Sequence, residues 1–361
     1  MAHLIQADPS LTTATEPASE GMPVRVLSVI PAGLSKASMI FARRQVASLQ
    51  RVGVVCETFL LASRTSPPVL ASEWKRLRRA IRSFRPDVLH SHYGTVTALL
   101  TALSTSIPLV VTYRGSDLNP DPSVSCVLWS ARRLLSELAA LRAASIICVS
   151  AQLRDRLWWR KSRALVIPTG VDTEVFYPRP RTEARIQLGW GQDERVVLFN
   201  AGGHPSIKRL DLAQAAVDVA RKLTGDIRFA VLNGDFAPEI IPLMMNAADC
   251  LLVTSDWEGS PTVVQEAMAC NLPVVTVDVG DVRARLAEVS PTHIVERNPA
   301  EIGKAVADIL NRGERSNGST RIGEVSNAAI AEQLVSIYCA LRRRANPQPR
   351  ISSAFQSRAH G

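Results

Sequence analysis

No apolar run in the chain reaches the roughly 18 uninterrupted residues that a membrane-crossing helix needs, because Lys or Arg breaks each candidate. The first 22 residues lack both a cationic start and a long apolar stretch, so they read as a loose tail and not as an export signal. A cytoplasmic protein is therefore expected. Cysteine is sparse: Cys56, Cys126, Cys148, Cys250, Cys270 and Cys339 stand far apart, with no C-x-x-C pair and no nearby His at ligand spacing. That argues against a disulfide framework and against a zinc site. No Asp-x-Asp loop is present, and no glycine pattern of a P-loop or dinucleotide fold. No metal and no cofactor are expected.

What is present is length and apolar content enough for two cores. The chain has 361 residues, 46% of them apolar, which is more than one ordinary domain accommodates. The net charge of +9 is uneven. Residues 1–168 hold 21 Lys/Arg against 10 Asp/Glu, and the remainder 21 against 23. The excess concentrates in Trp74-Lys75-Arg76-Leu77-Arg78-Arg79-Ala80-Ile81-Arg82 and in 153–163, which includes Trp158, Trp159, Arg160 and Lys161. These stretches read either as solvated helix faces or as contacts to an anionic membrane surface or lipid phosphate; nucleic acid is not an expected partner.

From residue 24 onward, short β-branched runs alternate with segments of helical periodicity. Strands are expected over 24–30, 54–61, 88–90, 109–113, 145–149 and 164–167, with a basic helix over 72–84 and an amphipathic one over 132–142. After a Pro- and charge-rich passage the plan restarts, with strands over 195–200, 227–233, 250–254 and 273–277 and helices over 211–223 and 262–270. The expected fold class is α/β, two Rossmann-like doubly wound domains. The expected division is a tail over 1–22, a first domain over 23–178, a linker over 179–194, a second domain over 195–325, a helix over 326–344 and an unfolded end over 345–361. In such sheets ligands sit beyond the carboxyl ends of the strands.

The most informative such place is TSDWEGSPTVVQEAMACNLP, residues 254–273. A strand ends, a Gly/Ser/Pro turn opens a helix, and the amides from Gly259 to Val263 are free to meet phosphate. Glu258 and Glu266 then read either as solvated carboxylates or as acceptors for the vicinal hydroxyls of a ribose or hexose. A second loop, Asn200-Ala201-Gly202-Gly203-His204-Pro205-Ser206-Ile207-Lys208-Arg209-Leu210-Asp211, offers close backbone approach and two cations. In the first half, His90-Ser91-His92 and Thr112-Tyr113-Arg114-Gly115-Ser116-Asp117 end consecutive strands. The two histidines share a strand face and read as core groups, as ligands wanting a third partner, or as sugar-facing groups.

The Glu258-x7-Glu266 stretch resembles the signature of the large retaining glycosyltransferase family numbered four, of the two-domain GT-B type, in particular enzymes of exopolysaccharide, capsule or teichuronic-type polysaccharide biosynthesis. The resemblance runs over about 24–338. It implies transfer of a sugar from a UDP- or GDP-linked donor to a lipid-linked or cell-surface glycan, with retention at the anomeric carbon and without a metal. By the same resemblance His92, Glu258 and Asp117 are the catalytic set, with His90 and Arg114 on the sugar and acceptor side. Gly33, Lys208, Arg209, Gly259, Ser260, Thr262 and Val263 would surround the diphosphate, Glu266 would hold the ribose, and the 326–344 helix would cross back to the first domain.

Two departures stand out. Against the resemblance, Gly203 occupies the place of an expected clamp arginine, and between Asp235 and Pro242 there is little room for the usual additional helix and strand. They keep open an alternative, a non-catalytic GT-B protein that binds a sugar nucleotide and regulates polysaccharide assembly.

Overall fold

A computed structural model of the chain describes residues 22–32, 39–62, 66–120, 124–202 and 205–345. Gly33, the Gly203-His204 pair and nearly all of both expected tails lie outside these residues.

The first half forms strands β1 (Arg25–Pro31), β2 (Val55–Leu61), β3 (Val88–Ser91), β4 (Leu109–Tyr113), β5 (Ser145–Cys148) and β6 (Leu165–Val166). Between them run helices α1 (Ile40–Arg51), α2 (Pro67–Phe84), α3 (Thr95–Ala102), α4 (Cys126–Arg142) and α5 (Ala151–Asp155). The sheet is parallel, in the order β2-β1-β3-β4-β5-β6. Parallel neighbours need a crossover long enough for a helix, which is why the elements alternate.

The second half contributes α6 (Arg181–Leu188), β7 (Val196–Asn200), α7 (Pro205–Lys208), α8 (Leu210–Thr224), β8 (Arg228–Leu232), α9 (Ile240–Ala247) and β9 (Cys250–Val253). It continues with α10 (Thr262–Ala269), β10 (Val274–Val277), α11 (Val282–Arg285), β11 (Thr292–Val295), α12 (Pro299–Arg312) and α13 (Asn327–Ala345). Its parallel sheet runs β11-β10-β9-β7-β8. Its inner strands are runs such as CLLV and VVTV, buried at every position as a sheet covered on both faces requires. The chain returns from β8 directly to β9 through α9, so β8 is an edge strand, in keeping with the missing unit noted above.

Three findings go beyond the sequence expectations. Within 179–194, expected as a linker, α6 is a packed helix whose Arg185 is buried against Asp249 at 2.9 Å. β11 and α12 close the second sheet; α12 starts on an Asn298 side chain that accepts from the Ala300 amide and stops at a left-handed Gly313. Finally, α4 is amphipathic in the inverse sense: it buries Arg133, Ser136, Glu137, Ala139 and Ala140 and turns leucines to solvent.

The second domain has one core between its sheet and helices. The first buries apolar residues on both faces of its sheet. On the α1 face, Val26, Val88, Val110 and Ile147 pack against Ile330, Ala331, Leu334, Tyr338 and Leu341 of α13. The last helix therefore completes the first domain. The chain crosses between domains twice, side by side: the Val171 amide donates to the Val325 carbonyl at 3.0 Å and the Asn327 amide to the Val171 carbonyl at 2.8 Å. Among the described residues no helix is long and apolar enough to cross a membrane.

Candidate functional site between the two sheets

The carboxyl ends of the two sheets meet at the 254–262 turn. Gly259 lies so close to the first domain that a Cβ on it would sit 2.0 Å from the Arg114 carbonyl oxygen and 2.9 Å from Val149 Cγ2. The Asn119 side-chain amide donates to the Glu258 carbonyl at 3.3 Å, also across the cleft. Beside this contact is a cavity of about 220 Å³ lined by Phe41, Arg114 and Thr169 on one wall and by Asn200, Lys208 and the Glu258–Val263 turn on the other.

Local structure explains how Lys208 reaches it. α7 is a single turn followed by Arg209 at φ 57, and the Thr254 hydroxyl donates to the carbonyls of Lys208 and Arg209 at 2.8 and 3.0 Å. The Asp256 amide donates to the Ile207 carbonyl, and Arg297 bonds the Thr254 and Ser255 carbonyls. So pinned, the Lys208 ammonium pairs with Glu258 Oε1, which also accepts from the Ser255 hydroxyl at 2.8 Å. α10 begins at Thr262 with no side chain capping its first amides, which leaves donors and the positive helix end facing the cavity. The Ser260 hydroxyl is directed to Asp281 at 3.0 Å, holding the turn from behind.

Arg114 faces Lys208 across this space and is the least conventional group in the site. Its Nε donates to the His92 carbonyl at 3.2 Å, Nη1 to Thr169 Oγ1 at 3.3 Å, and Nη2 to Gln45 Oε1 at 2.8 Å and His92 Nδ1 at 3.1 Å. The guanidinium also stacks over Phe41 at 4.6 Å. Among the described residues no carboxylate bridges it. Burial lowers its pKa to about 10, only partly offset by Asp117. A half-buried cation held by neutral groups and open to a cavity favours the arrival of an anion.

The sequence-predicted residues divide accordingly. Glu258, Gly259, Ser260, Thr262, Val263, Lys208 and Arg114 come together around the cavity. Arg209 does not: it binds Asp211 at 2.8 Å and Asp256 at 3.2 Å, outside the cavity. His92 is fully buried behind Arg114, and burial, His90 and Arg114 together hold its imidazole neutral, well below the usual pKa. It orients the guanidinium instead of reaching the cavity. His90 is spent on Tyr338 Oη at 2.6 Å and Thr112 Oγ1 at 2.7 Å, and stacks on His92 at 4.0 Å. It ties α13 to the sheet. The Asp117 carboxylate accepts from the amides of Gly94, Arg114 and Gly115 at 2.9 to 3.1 Å and so shapes two loops.

Glu266 lies one helical turn beyond the cavity and meets Arg44 of α1 at 3.5 Å, a cross-cleft pair invisible to sequence spacing. Burial raises its pKa to about 7, with Arg44 opposing the shift. Below that pH the group is a neutral acid, above it a carboxylate able to accept from both hydroxyls of a diol. If Glu266 holds a ribose, as the resemblance implies, nucleoside diphosphate affinity of the free protein should rise by up to about tenfold per pH unit on approaching pH 7 from below, then level off. Calorimetric titration across this range checks it, and Glu266→Gln should flatten the profile. The same raised pKa means that the contribution of Glu266 to folding stability falls as pH rises from its unfolded value through about 7.

Among the described residues no group of three or more His, Cys, Asp or Glu is placed to hold a metal ion. Sequence reasoning did not single out Phe41, Arg44, Asn119 or Thr169, and it quoted Asn200 only as the start of the 200–211 loop.

Comparison with known proteins agrees with this geometry. The family model described as Glycosyltransferase Family 4 matches residues 12–175, and that described as Glycosyl transferases group 1 matches residues 231–324. The chain is 28% identical over 305 residues to the D-inositol 3-phosphate glycosyltransferase of Geodermatophilus obscurus, covering 70% of this chain and 66% of that one. It is 28% identical over 221 residues to a Bacillus subtilis glycosyltransferase named for teichuronic acid biosynthesis, TuaC, covering 56% and 55%. The matches thus span a little under two thirds and about half of these relatives' lengths. Among solved structures, a sucrose-phosphate synthase of Thermosynechococcus elongatus superposes with a TM-score of 0.69 at 17% identity, over 88% of this chain and 99% of that one. HepE of Anabaena, in complex with UDP and glucose, gives 0.61 at 16% identity, over 89% and 98%. Two parallel sheets each flanked by helices, with a match to the Family 4 model over 12–175 and to the group 1 model over 231–324, give this chain the GT-B fold with a Family 4 module followed by a group 1 module.

Proposed function

We propose that the chain transfers a sugar from a nucleoside diphosphate donor to a glycan or lipid-linked acceptor, with retention and without a metal. The carrying observation is the cavity that sets the carboxylate-free Arg114 opposite Lys208 and the open end of α10. Two cations and helix amides around one small space match a diphosphate, and they stabilise its charge as the bond to the sugar breaks. Arg114 thereby supplies, from the first domain, the second cation that Gly203 does not.

In this reading Glu266 exchanges Arg44 for the ribose, and Glu258 accepts from sugar hydroxyls once Lys208 turns to phosphate. With the Asp117 carboxylate engaged by three amides, retention is best served by front-face substitution. The C1–O bond to the diphosphate breaks, the acceptor oxygen bonds C1 on the same face, and its proton passes to a diphosphate oxygen. Solved neighbours that hold UDP and UDP-glucose support a uridine donor. A relative named for teichuronic acid biosynthesis supports a cell-surface glycan acceptor. The basic helices of the first domain suit a cytoplasmic protein working at an anionic membrane surface.

The test is a panel of UDP- and GDP-linked hexoses and N-acetylhexosamines incubated with EDTA and crude membrane acceptor, following nucleoside diphosphate release. Release from one donor, unaffected by EDTA and lost in Glu266→Ala, is the expected result. Donor binding without release or transfer under every condition would favour the regulatory alternative.

A further inference from the structure

We infer that the solvent face of α4, flanked by α2 and the 156–163 segment, docks on an anionic lipid bilayer. The inference makes specific the membrane contact proposed above and does not require that sugar transfer be correct.

The face is built the wrong way round for water. Val127, Ala131, Leu134, Leu138 and Leu141 recur at spacings of four and three, so they form one stripe along the helix. All five are exposed, Val127 at 76% and Leu141 at 52%. Meanwhile the charged pair of the same helix, Arg133 and Glu137, is turned inward and closed on itself at 2.7 Å. Burying a charged pair while exposing leucines is unfavourable for a helix that meets only water, and an apolar stripe of this extent marks an interaction surface.

The neighbouring segment extends the stripe. The Trp158 amide donates to Glu137 Oε1 at 3.1 Å and the Trp159 indole to the Glu137 carbonyl at 3.0 Å. Arg160 caps the end of α4 through the carbonyls of Ala140 and Ala143, both at 2.6 Å. The Trp158 ring, 55% exposed, is thereby fixed alongside the helix. On the other side Leu103 at the end of α3 is 66% exposed, and its carbonyl accepts from the Trp74 indole of α2 at 3.5 Å.

Charge selects the occupant. Exposed Lys75, Arg78, Arg79, Arg142, Arg156 and Lys161 lie on the same elements as these apolar groups. α2, α3, α4 and 153–163 contain three acidic residues: Glu73 and Glu137, both buried, and the exposed Asp155, which pairs with Arg154 at 2.9 Å. Glu73 accepts from the Ala62 amide and pairs with Arg76. A second copy of the chain would bring cation against cation. An anionic bilayer offers apolar depth for the stripe, headgroup charge for the rim and an interfacial level for Trp158. The cleft is near: the Trp129 indole on the first turn of α4 donates to the Asn119 carbonyl, and Asn119 bonds Glu258.

Flotation of the full chain with phosphatidylglycerol-containing and pure phosphatidylcholine vesicles tests the inference. Binding to the former is expected to exceed binding to the latter at least tenfold and to weaken with salt. Leu134→Glu/Leu138→Glu should lower it at least tenfold while leaving circular dichroism and nucleoside diphosphate binding unchanged. A blue shift of tryptophan emission on vesicle binding should be lost in Trp158→Phe. Equal binding of the double glutamate variant, or a stable dimer in sedimentation that the same substitutions dissociate, would overturn it. A protein that floats yet transfers no sugar would refute the transferase reading alone.

Discussion

Gly259→Ala is expected to leave both domains folded and to lower sugar transfer by at least about 100-fold. The alanine methyl would stand 2.0 Å from the Arg114 carbonyl oxygen and 2.8 Å from its carbon, and a backbone carbonyl cannot swing aside as a flexible side chain can. Gly115, at φ +143, faces the same contact with its own Cβ position 3.3 Å from the Gly259 amide. Relief must come from separating the domains, which moves Lys208 and the α10 amides away from Arg114. A misplacement of about 1 Å costs on the order of 100-fold in a positioned reaction. Comparing kcat/KM with the urea midpoint of the same variant distinguishes this from unfolding. More than half of wild-type transfer would mean that chemistry proceeds with the cleft wider than it stands here.

Removing either cation should be comparably severe. Lys208→Ala is expected to reduce kcat by about 100- to 1000-fold, the range for deleting one group that stabilises developing negative charge. Arg114→Lys keeps the charge but loses the planar fork that bonds His92, Thr169 and Gln45 together, and a loss of about 100-fold is expected. If both groups act on one leaving diphosphate, as proposed, the double variant should lose less than the product of the single losses. Nucleoside diphosphate affinity and single-turnover rates of the four proteins check this. Additive losses would place Arg114 and Lys208 on different parts of the substrate.

Much of this site was legible because its signals are local. Runs such as VVLFN and CLLV leave strand as the ready reading, and a Gly/Ser/Pro turn between strand and helix announces a phosphate-sized loop. What was not legible depends on partners distant in sequence. The histidines at 90 and 92 share a strand face, yet only α13, some 248 residues away, decides that His90 becomes a strut to Tyr338. Arg44 meets Glu266 because the domains face each other, and α1 carries no mark of that pairing. Arg209 follows Lys208, but its left-handed backbone turns it to Asp211 and Asp256. The polarity of α4 misleads for a related reason: periodicity reveals two faces, while the sheet decides which one is buried. α6 was hidden by prolines and charges around it, although Arg185 is among the most buried side chains of the molecule.

The homing of α13 onto the first sheet has a consequence for biogenesis. Leu334 and Tyr338 are buried under a domain whose own strands end at Val166, so the half that leaves the ribosome first waits longest for its core. The second domain, whose core draws on residues from Val171 to Val325, can consolidate while the sheet before it still presents an open apolar face. Nascent chains halted before Asn327 should therefore protect the later-made half from protease and leave the earlier-made half vulnerable. The order of maturation would run opposite to the order of synthesis.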